Sequence, residues 1–222
     1  MNEQIAVVIG ATGLIGNFLV EELLKNDVFS IVKTLTRRPM KLIHPKLQQE
    51  IVNFNDLNDF KQKLGTGHTI FCCIGTTQKK VKGDKEAYKK VDFDIPVNAA
   101  QIGIEKGFKK YLLVSAIGAN ENSSNFYLQL KGKTENSIKK LPFQSISIFR
   151  PAQLLGKRNE KRMGERILQP VTRFLSYFLF GSLKKYRSIN ARDVAKAMVK
   201  QSKQNSQGVH YFEYDQMINL IK

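Results

Sequence analysis

Short apolar runs alternate with longer amphipathic stretches along most of this chain. Ile5-Ala6-Val7-Val8-Ile9 is continuous and mostly β-branched, the pattern of a strand buried on both faces. Gly10, Gly13 and Gly16 follow without a spacer, and Ile15, Leu19 and Leu23 recur at helical spacing. Strand, glycine turn and helix are predicted in that order. A second strand is predicted over 31–36, closed by Arg37-Arg38-Pro39, and a third over 50–54. Leu57, Phe60 and Leu64 mark one side of a short helix that follows Asp56. A fourth strand over 68–74 ends in the small residues Gly75-Thr76-Thr77. The polar loop 78–85 leads into a helical segment over 86–106, in which Pro96 marks either a kink or a fresh first turn after Asp94. Gly107 stops that helix. A fifth strand over 110–115 opens into a loop rich in Gly and Asn, and Ser124 or Asn125 caps the helix that carries Tyr127 and Lys131. The sixth strand, 144–149, ends in Arg150-Pro151-Ala152.

The pattern then loosens into a basic linker over 156–166, an apolar segment over 167–183 broken by Pro170 and Arg173, a helix from Ala191 to about Ser202, and a strand-like 209–214. Strands alternating with helices predict an α/β fold, a Rossmann-type doubly wound parallel sheet with helices on both faces. Residues 1–155 form its nucleotide-binding core, and 156–222 a small C-terminal substrate or lid region integrated with that core. The apolar segment reads best as a lid closing over a bound cofactor. Its alternatives are a subunit contact, which would make the protein a homodimer, or a membrane-surface patch.

Length and composition narrow the function. At 222 residues the chain can bury one substantial core but not comfortably two. Its net charge of +17, from 36 Lys and Arg against 19 Asp and Glu, raises the question of nucleic acid or anionic membranes. The basic residues come mostly as scattered pairs, such as Lys79-Lys80, Lys109-Lys110 and Lys184-Lys185, the pattern of solvated faces. No zinc-finger, RNP-type or basic-zipper signature accompanies them, so nucleic acid is not the expected partner. A basic surface that docks on anionic lipid or nucleic acid through 157–166 and Lys184-Lys185, with membrane-surface contact somewhere in 157–187, is kept as the third reading. No apolar run is long enough to span a bilayer, and the N-terminus lacks the pattern of a signal peptide. Cys72 and Cys73 are adjacent in a strand and point to opposite faces, which argues against a disulfide between them and for a reducing cytoplasm. His44, His68 and His210 show no metal-ligand spacing, and no metal is expected.

The glycine turn carries the clearest chemistry. One glycine permits a tight turn, one lets the backbone approach a pyrophosphate, and one lets the helix pack on the strand. Gly10, Thr12, Gly13, Leu14, Ile15 and Gly16 are therefore the expected pyrophosphate contacts, at a helix N-terminus that offers free N–H groups. Arg37 and Arg38 stand at the end of the second strand, where an acidic residue would accept from a free ribose 2′-hydroxyl and an Arg matches a 2′-phosphate. NADP(H) is thus favoured over NAD(H). Asp56 either accepts from the adenine amino group or caps its helix. Gly75, Thr76 and Thr77 let the backbone pass close to the cofactor. Tyr127 and Lys131 share a helix face, although one Tyr-x-x-x-Lys pair is on the order of what chance gives in such a lysine-rich chain. Its weight comes from its place just after the fifth strand, with Ser115 at that strand's carboxyl end, where open α/β sheets bind ligands.

With Gly-Ala-Thr-Gly-Leu-Ile-Gly at 10–16, Ser115, Tyr127-x-x-x-Lys131 and Phe149-Arg150-Pro151 in this order, the chain resembles the extended and atypical short-chain dehydrogenase/reductases. Cys73-Ile74-Gly75-Thr76-Thr77, the stretch from Ser123 to Gly132, and Ile189-Asn190-Ala191-Arg192-Asp193-Val194-Ala195 are similar to its NAD(P)H-binding branch. That branch holds the Tat-interacting oxidoreductase and bacterial proteins that resemble nucleoside-diphosphate-sugar epimerases. The resemblance implies that Tyr127 is the general acid/base, that Lys131 favours its phenolate and holds the nicotinamide ribose, and that Ser115 bonds the substrate oxygen. It adds Cys73, Val114, Arg150 and Pro151 to the cofactor contacts. A short C-terminal region and a tight loop between Ser115 and Tyr127 point to a small carbonyl/alcohol substrate rather than a bulky sugar nucleotide. The rival reading is a regulator that binds NADPH with little or no turnover.

Overall fold

In the computed structural model, residues 4–77, 81–156 and 181–222 are described. The chain runs β1 (Gln4–Ile9), α1 (Leu14–Leu24), β2 (Phe29–Thr36), β3 (Leu47–Ile51), α2 (Leu57–Leu64), β4 (Thr69–Cys72), α3 (Lys85–Lys89), a π turn (Lys90–Asp94), α4 (Ile95–Glu105) and β5 (Lys110–Val114). It continues through α5 (Phe126–Lys139), β6 (Ser145–Phe149), β7 (Leu154–Leu155), a 3₁₀ turn (Gly181–Tyr186), β8 (Ile189–Asn190), α6 (Ala191–Ser202), β9 (Gly208–Phe212) and α7 (Tyr214–Ile221).

Seven strands form one sheet in the order β3-β2-β1-β4-β5-β6-β9, and every pairing in it is parallel. The alternation within β1 shows why the fold has two helical layers. Ala6 and Val8 join a core with Leu19 and Leu23 of α1 and Val194 and Met198 of α6. Val7 and Ile9 face the other way, into a core with Phe60 of α2, Ala99 of α4 and Ile138 of α5. Successive side chains of a strand point to opposite faces, so a strand of nothing but apolar residues needs a helix layer on each. The doubly wound parallel sheet expected from the sequence is present. Strand order reverses between β1 and β4, the place where open α/β sheets bind ligands, outside the carboxyl ends of the strands.

Most strands shift from the sequence expectation by a residue or two at their ends; the larger differences have physical causes. The third strand is Leu47–Ile51 rather than 50–54; at the sheet edge one face meets water, so Gln48, Gln49 and Glu50 fit a strand that apolar periodicity alone conceals. The long helix is interrupted at 90–94 by a π turn, which opens directly before Pro96, a residue that has no N–H to give to the ladder. The strand expected over 209–214 is Gly208–Phe212, and it pairs with β6 as the outermost strand of the main sheet. An eight-residue helix, α7, follows it, opened by a capping box between Glu213 and Gln216. The region after 155 therefore supplies core elements, with α6 against α1 and β7 paired to β8 as a small second sheet. The basic linker over 157–166 and nearly all of the apolar segment, 167–180, lie outside the described residues, as do 78–80.

Candidate cofactor and catalytic site

The turn between β1 and α1 is shaped by close backbone approach. Gly10 has φ +84°, and a Cβ there would lie 2.7 Å from the carbonyl carbon of Cys73 at the end of β4. A Cβ on Gly16 would come within 2.1 Å of the Gly10 carbonyl oxygen. Both positions therefore require glycine. Gly13 is the N-cap of α1 and supplies no side chain to its free N–H groups, and no acidic residue occupies the first turn. An uncapped helix start with no acidic residue in its first turn fits a phosphate, which would take those N–H groups as donors. Thr12 and Gly13 are exposed at the mouth of the turn, whereas the Ile15 side chain belongs to the core. Leu14 is partly buried beside Gly156, where the C-terminal region begins.

Around this turn the other expected cofactor residues are spread along the sheet edge. Arg37 and Arg38 are both exposed just beyond β2, and the Arg38 carbonyl accepts from Thr36 Oγ1 at 2.8 Å. Asp56 caps α2, its Oδ1 accepting from Asn58 N at 2.9 Å and Asp59 N at 3.2 Å; of the two roles open to it, capping is the one the free protein displays. Beyond β4, Cys73 Sγ lies 4.0 Å from Met198 Sδ, and burial pushes its thiol well above the usual range. Gly75 and Thr76 sit against Asp92, to which the Thr76 N–H donates at 2.7 Å, and Thr77 follows them. Val114 is buried at the end of β5, and the Pro151 carbonyl accepts from Ile117 N at 3.1 Å.

Tyr127 and Lys131 stand one turn apart on α5, after an Asn125 cap that accepts from Leu128 N at 3.2 Å. Tyr127 keeps 36 % of its surface exposed, while Lys131 is only 4 % exposed. Beneath them lies a residue that sequence reasoning missed. Asp92, in the π turn and 1 % exposed, places Oδ1 3.0 Å from Lys131 Nζ. Its Oδ1 makes this ion-pair contact without a well-directed hydrogen bond, its Oδ2 takes the Thr76 N–H, and its carbonyl takes Thr134 Oγ1 at 3.1 Å. Burial disfavours the Lys131 charge, but the Asp92 carboxylate together with Tyr127 and Cys72 outweighs this and raises its pKa. The expected pull of Lys131 on Tyr127 is present but outweighed. Burial raises the phenol above its ordinary value; the Lys131 ammonium pulls it down and Asp92 pushes it back up.

A second buried carboxylate, Glu135, sits one turn further along α5 and is 1 % exposed. It accepts from Ser115 Oγ at 2.5 Å and from Arg150 Nε at 2.9 Å, and Arg150 Nη2 completes a bidentate pair. The Arg150 guanidinium also lies over the Tyr211 ring, 4.5 Å from its centroid. Both Ser115 and Arg150 are thus engaged inside the fold, joining β5, α5, β6 and β9. Tyr127, Lys131 and Glu135 recur every four residues on one helix face, a spacing that could have exposed Glu135. Asp92 left no comparable mark, since it reaches the site only through the π turn.

Residues 10–205 match the family described as NAD(P)H-binding. The chain belongs to that family. Relatives span most of its length: the rat protein HTATIP2 is 34% identical over 187 residues, covering 82% of this chain and 73% of that one. FMP52 of Candida albicans, named as mitochondrial, is 32% identical over 198 residues, 86% of this chain and 85% of its own. Among solved structures, WbmH of Bordetella bronchiseptica in complex with NAD+ superposes with a TM-score of 0.72 at 15% identity, over 96% of this chain and 76% of that one. A UDP-N-acetylglucosamine 4-epimerase from Methanobrevibacter ruminantium gives 0.71 at 16%, covering 96% and 77%. At such identity those structures share the fold. NAD(P)H binding comes to this chain from the family match, and the glycine turn, uncapped α1 and β4 end are the parts of the chain that fit it.

Proposed function

We propose that this member of the NAD(P)H-binding family is an NADP(H)-dependent oxidoreductase of the short-chain dehydrogenase/reductase type, acting on a small carbonyl/alcohol pair with Tyr127 as general acid/base. The observation that carries the reading is the shared edge. The glycine turn with its uncapped helix start and the Tyr127-Lys131 pair both lie at the carboxyl ends of one parallel sheet. The cofactor, when bound, supplies the hydride. The chain's own residues hold it at 10–16, match a 2′-phosphate with Arg37 and Arg38, and move one proton at the Tyr127 hydroxyl. Lys131 is the cation next to that hydroxyl. Free thiols at Cys72 and Cys73 agree with a reducing compartment, and we place the protein in the cytoplasm on that ground. Among the described residues, no helix is long and apolar enough to cross a membrane.

One observation favours a second reading, a regulator that binds NADPH with little turnover. Ser115, the expected partner of the substrate oxygen, already donates its proton to Glu135. Fluorescence titration with NADPH and NADH, followed by turnover on a panel of small aldehydes and ketones, separates the two. The oxidoreductase reading expects NADPH to bind at least about tenfold tighter, about 1.4 kcal/mol, and that margin to vanish in the Arg37→Ala/Arg38→Ala variant. Equal affinities would remove the NADP assignment. Tight binding with no turnover on any carbonyl would select the regulator.

A further inference from the structure

Asp92 and Lys131 form an ion pair in which both partners are nearly inaccessible, with side chains 1% and 5% exposed. Burying two charges is costly, and replacing such a pair by apolar groups is often neutral or stabilising. A buried pair tied to the chain leaving the carboxyl end of β4 is therefore more than a fastening. Its geometry couples three elements. The π turn delivers Asp92 inward from the α3–α4 helix, α5 delivers Lys131, and the chain leaving β4 is held through the Thr76 N–H. Thr134, one turn beyond Lys131, fixes the π turn from the same helix by donating to the Asp92 carbonyl.

What this pair does to its neighbour follows from Coulomb's law. An ammonium that reaches a phenol stabilises the phenolate, and a carboxylate in contact with that ammonium offsets part of its field at the phenol. Among the described residues, the charged and titratable groups facing Tyr127 are few. Lys131 comes from its own helix and Asp92 from the π turn. Tyr88 of α3 puts its ring 6.5 Å from the Tyr127 ring, edge to face. Lys85 is taken up 5.5 Å from the neighbouring Phe126 ring, and Cys72 faces Lys131 from β4. Among these described groups, Lys131 is the cation set against the phenol, and it is the one Asp92 has claimed.

We propose that Asp92 is a positioning residue which holds the Lys131 ammonium in place while weakening its pull on the Tyr127 phenol, so that the site gives a proton to a carbonyl oxygen rather than taking one from an alcohol. The inference rests on the oxidoreductase reading for its direction of reaction, though not for the state of the phenol. In the reductive direction a hydride from the reduced cofactor forms the new C–H bond. The carbonyl π pair moves onto oxygen, the Tyr127 O–H bond breaks to protonate that oxygen, and a solvent proton restores the phenol. The electrons gained by the substrate are those lost by the cofactor. An alcohol oxidation would need the phenolate first, which a Lys131 held by Asp92 in a buried setting does less to provide.

The test needs no cofactor. Protein carrying ring-labelled [13Cζ]tyrosine is titrated into the alkaline range by NMR, and the Tyr127 signal is assigned as the one missing from Tyr127→Phe. In the wild type the Tyr127 midpoint is expected above that of free tyrosine. In Asp92→Asn, whose amide oxygen can still accept from Thr76, it should fall by at least about one pH unit. In Lys131→Gln, which leaves the carboxylate alone, it should rise. A wild-type midpoint below free tyrosine overturns the proposal even if neither variant folds, and so does a folded Asp92→Asn whose midpoint does not move. A merely structural Asp92 would change melting temperature and leave the Tyr127 midpoint where it was. Failure of every carbonyl in the turnover panel would sink the oxidoreductase reading while leaving this charge coupling to be judged by the titration alone.

Discussion

Tyr127 is the residue on which the proposed chemistry turns, and its surroundings set what substitution should do. Its ring is partly exposed on α5, edge to face with Tyr88, and its hydroxyl is not needed to hold the fold together in the way that the Tyr111 hydroxyl is, donating at 2.7 Å to the Pro96 carbonyl inside the core. Tyr127→Phe should therefore keep the melting temperature and NADPH affinity close to wild type while turnover falls at least about a hundredfold. Steady-state kinetics beside a cofactor titration would check this, and unchanged turnover would remove Tyr127 from the mechanism. At this scale the sequence was informative where spacing carried the meaning. The glycines at 10, 13 and 16 and the Tyr-Lys pair lie where their spacing placed them, because each depends on contacts within one strand-turn-helix unit or one helix. Asp92 was silent, since nothing local distinguishes a carboxylate that faces water from one that a widened turn rotates inward.

Between elements, the Glu135 cluster is the main tie at the carboxyl end of the sheet. Ser115 leaves β5, Arg150 leaves β6, Tyr211 stands on β9, and all three reach Glu135 or its bound guanidinium. Glu135→Gln would keep the shape and an acceptor for Ser115 but leave Arg150 without its counter-charge. Breaking a buried ion pair in this one-sided way usually costs about 3–5 kcal/mol; since Arg150 is itself partly open to water, we expect about 2–3 kcal/mol here. Urea unfolding measures it, and a loss under about 0.5 kcal/mol would show the cluster to be incidental. The elements themselves were mostly legible. Strands buried on both faces and helices with one apolar side announce themselves by period, which is why β1, β2, β4, β5 and β6 were found. What escaped lacks a period: the polar edge strand β3, the two-residue pair β7 and β8, and a π turn that exists only as a fault in helical register. The place of β9 beside β6 is a long-range pairing that no window of sequence contains.

Over the whole molecule, two electrostatic effects pull stability in opposite directions as pH rises. The chain carries a net charge of +17 with a pI near 9.9, so raising the pH relieves self-repulsion among surface lysines and should stabilise the fold. The interior responds with the other sign. Burial raises the pKa of Cys72 and, further still, of Cys73 and Tyr111; it also raises that of Tyr127, and Asp92 raises that of Lys131. Each of these groups keeps its proton in the folded state to a higher pH than in the unfolded chain. Their contribution is thus complete below the unfolded pKa and is lost as pH climbs through the folded one. Unfolded thiols begin to ionise near about pH 8.5, and tyrosine and lysine follow near about 10. Surface repulsion is screened by salt, while buried groups are screened much less. At about 0.5 M salt, where the Debye length is only about 4 Å, the interior should therefore win. Melting temperature, flat from neutral pH to about 8, should then fall progressively above about 8.5, with a shallower first slope in Cys73→Ala, which removes one of the two thiols, the groups of this set that titrate earliest in the unfolded chain. At low salt the same fall should start later, because relief of surface repulsion offsets it. A melting temperature that held level to about pH 10 at high salt would mean that these groups exchange protons as freely in the folded protein as outside it, and the dry interior described here would have to be given up.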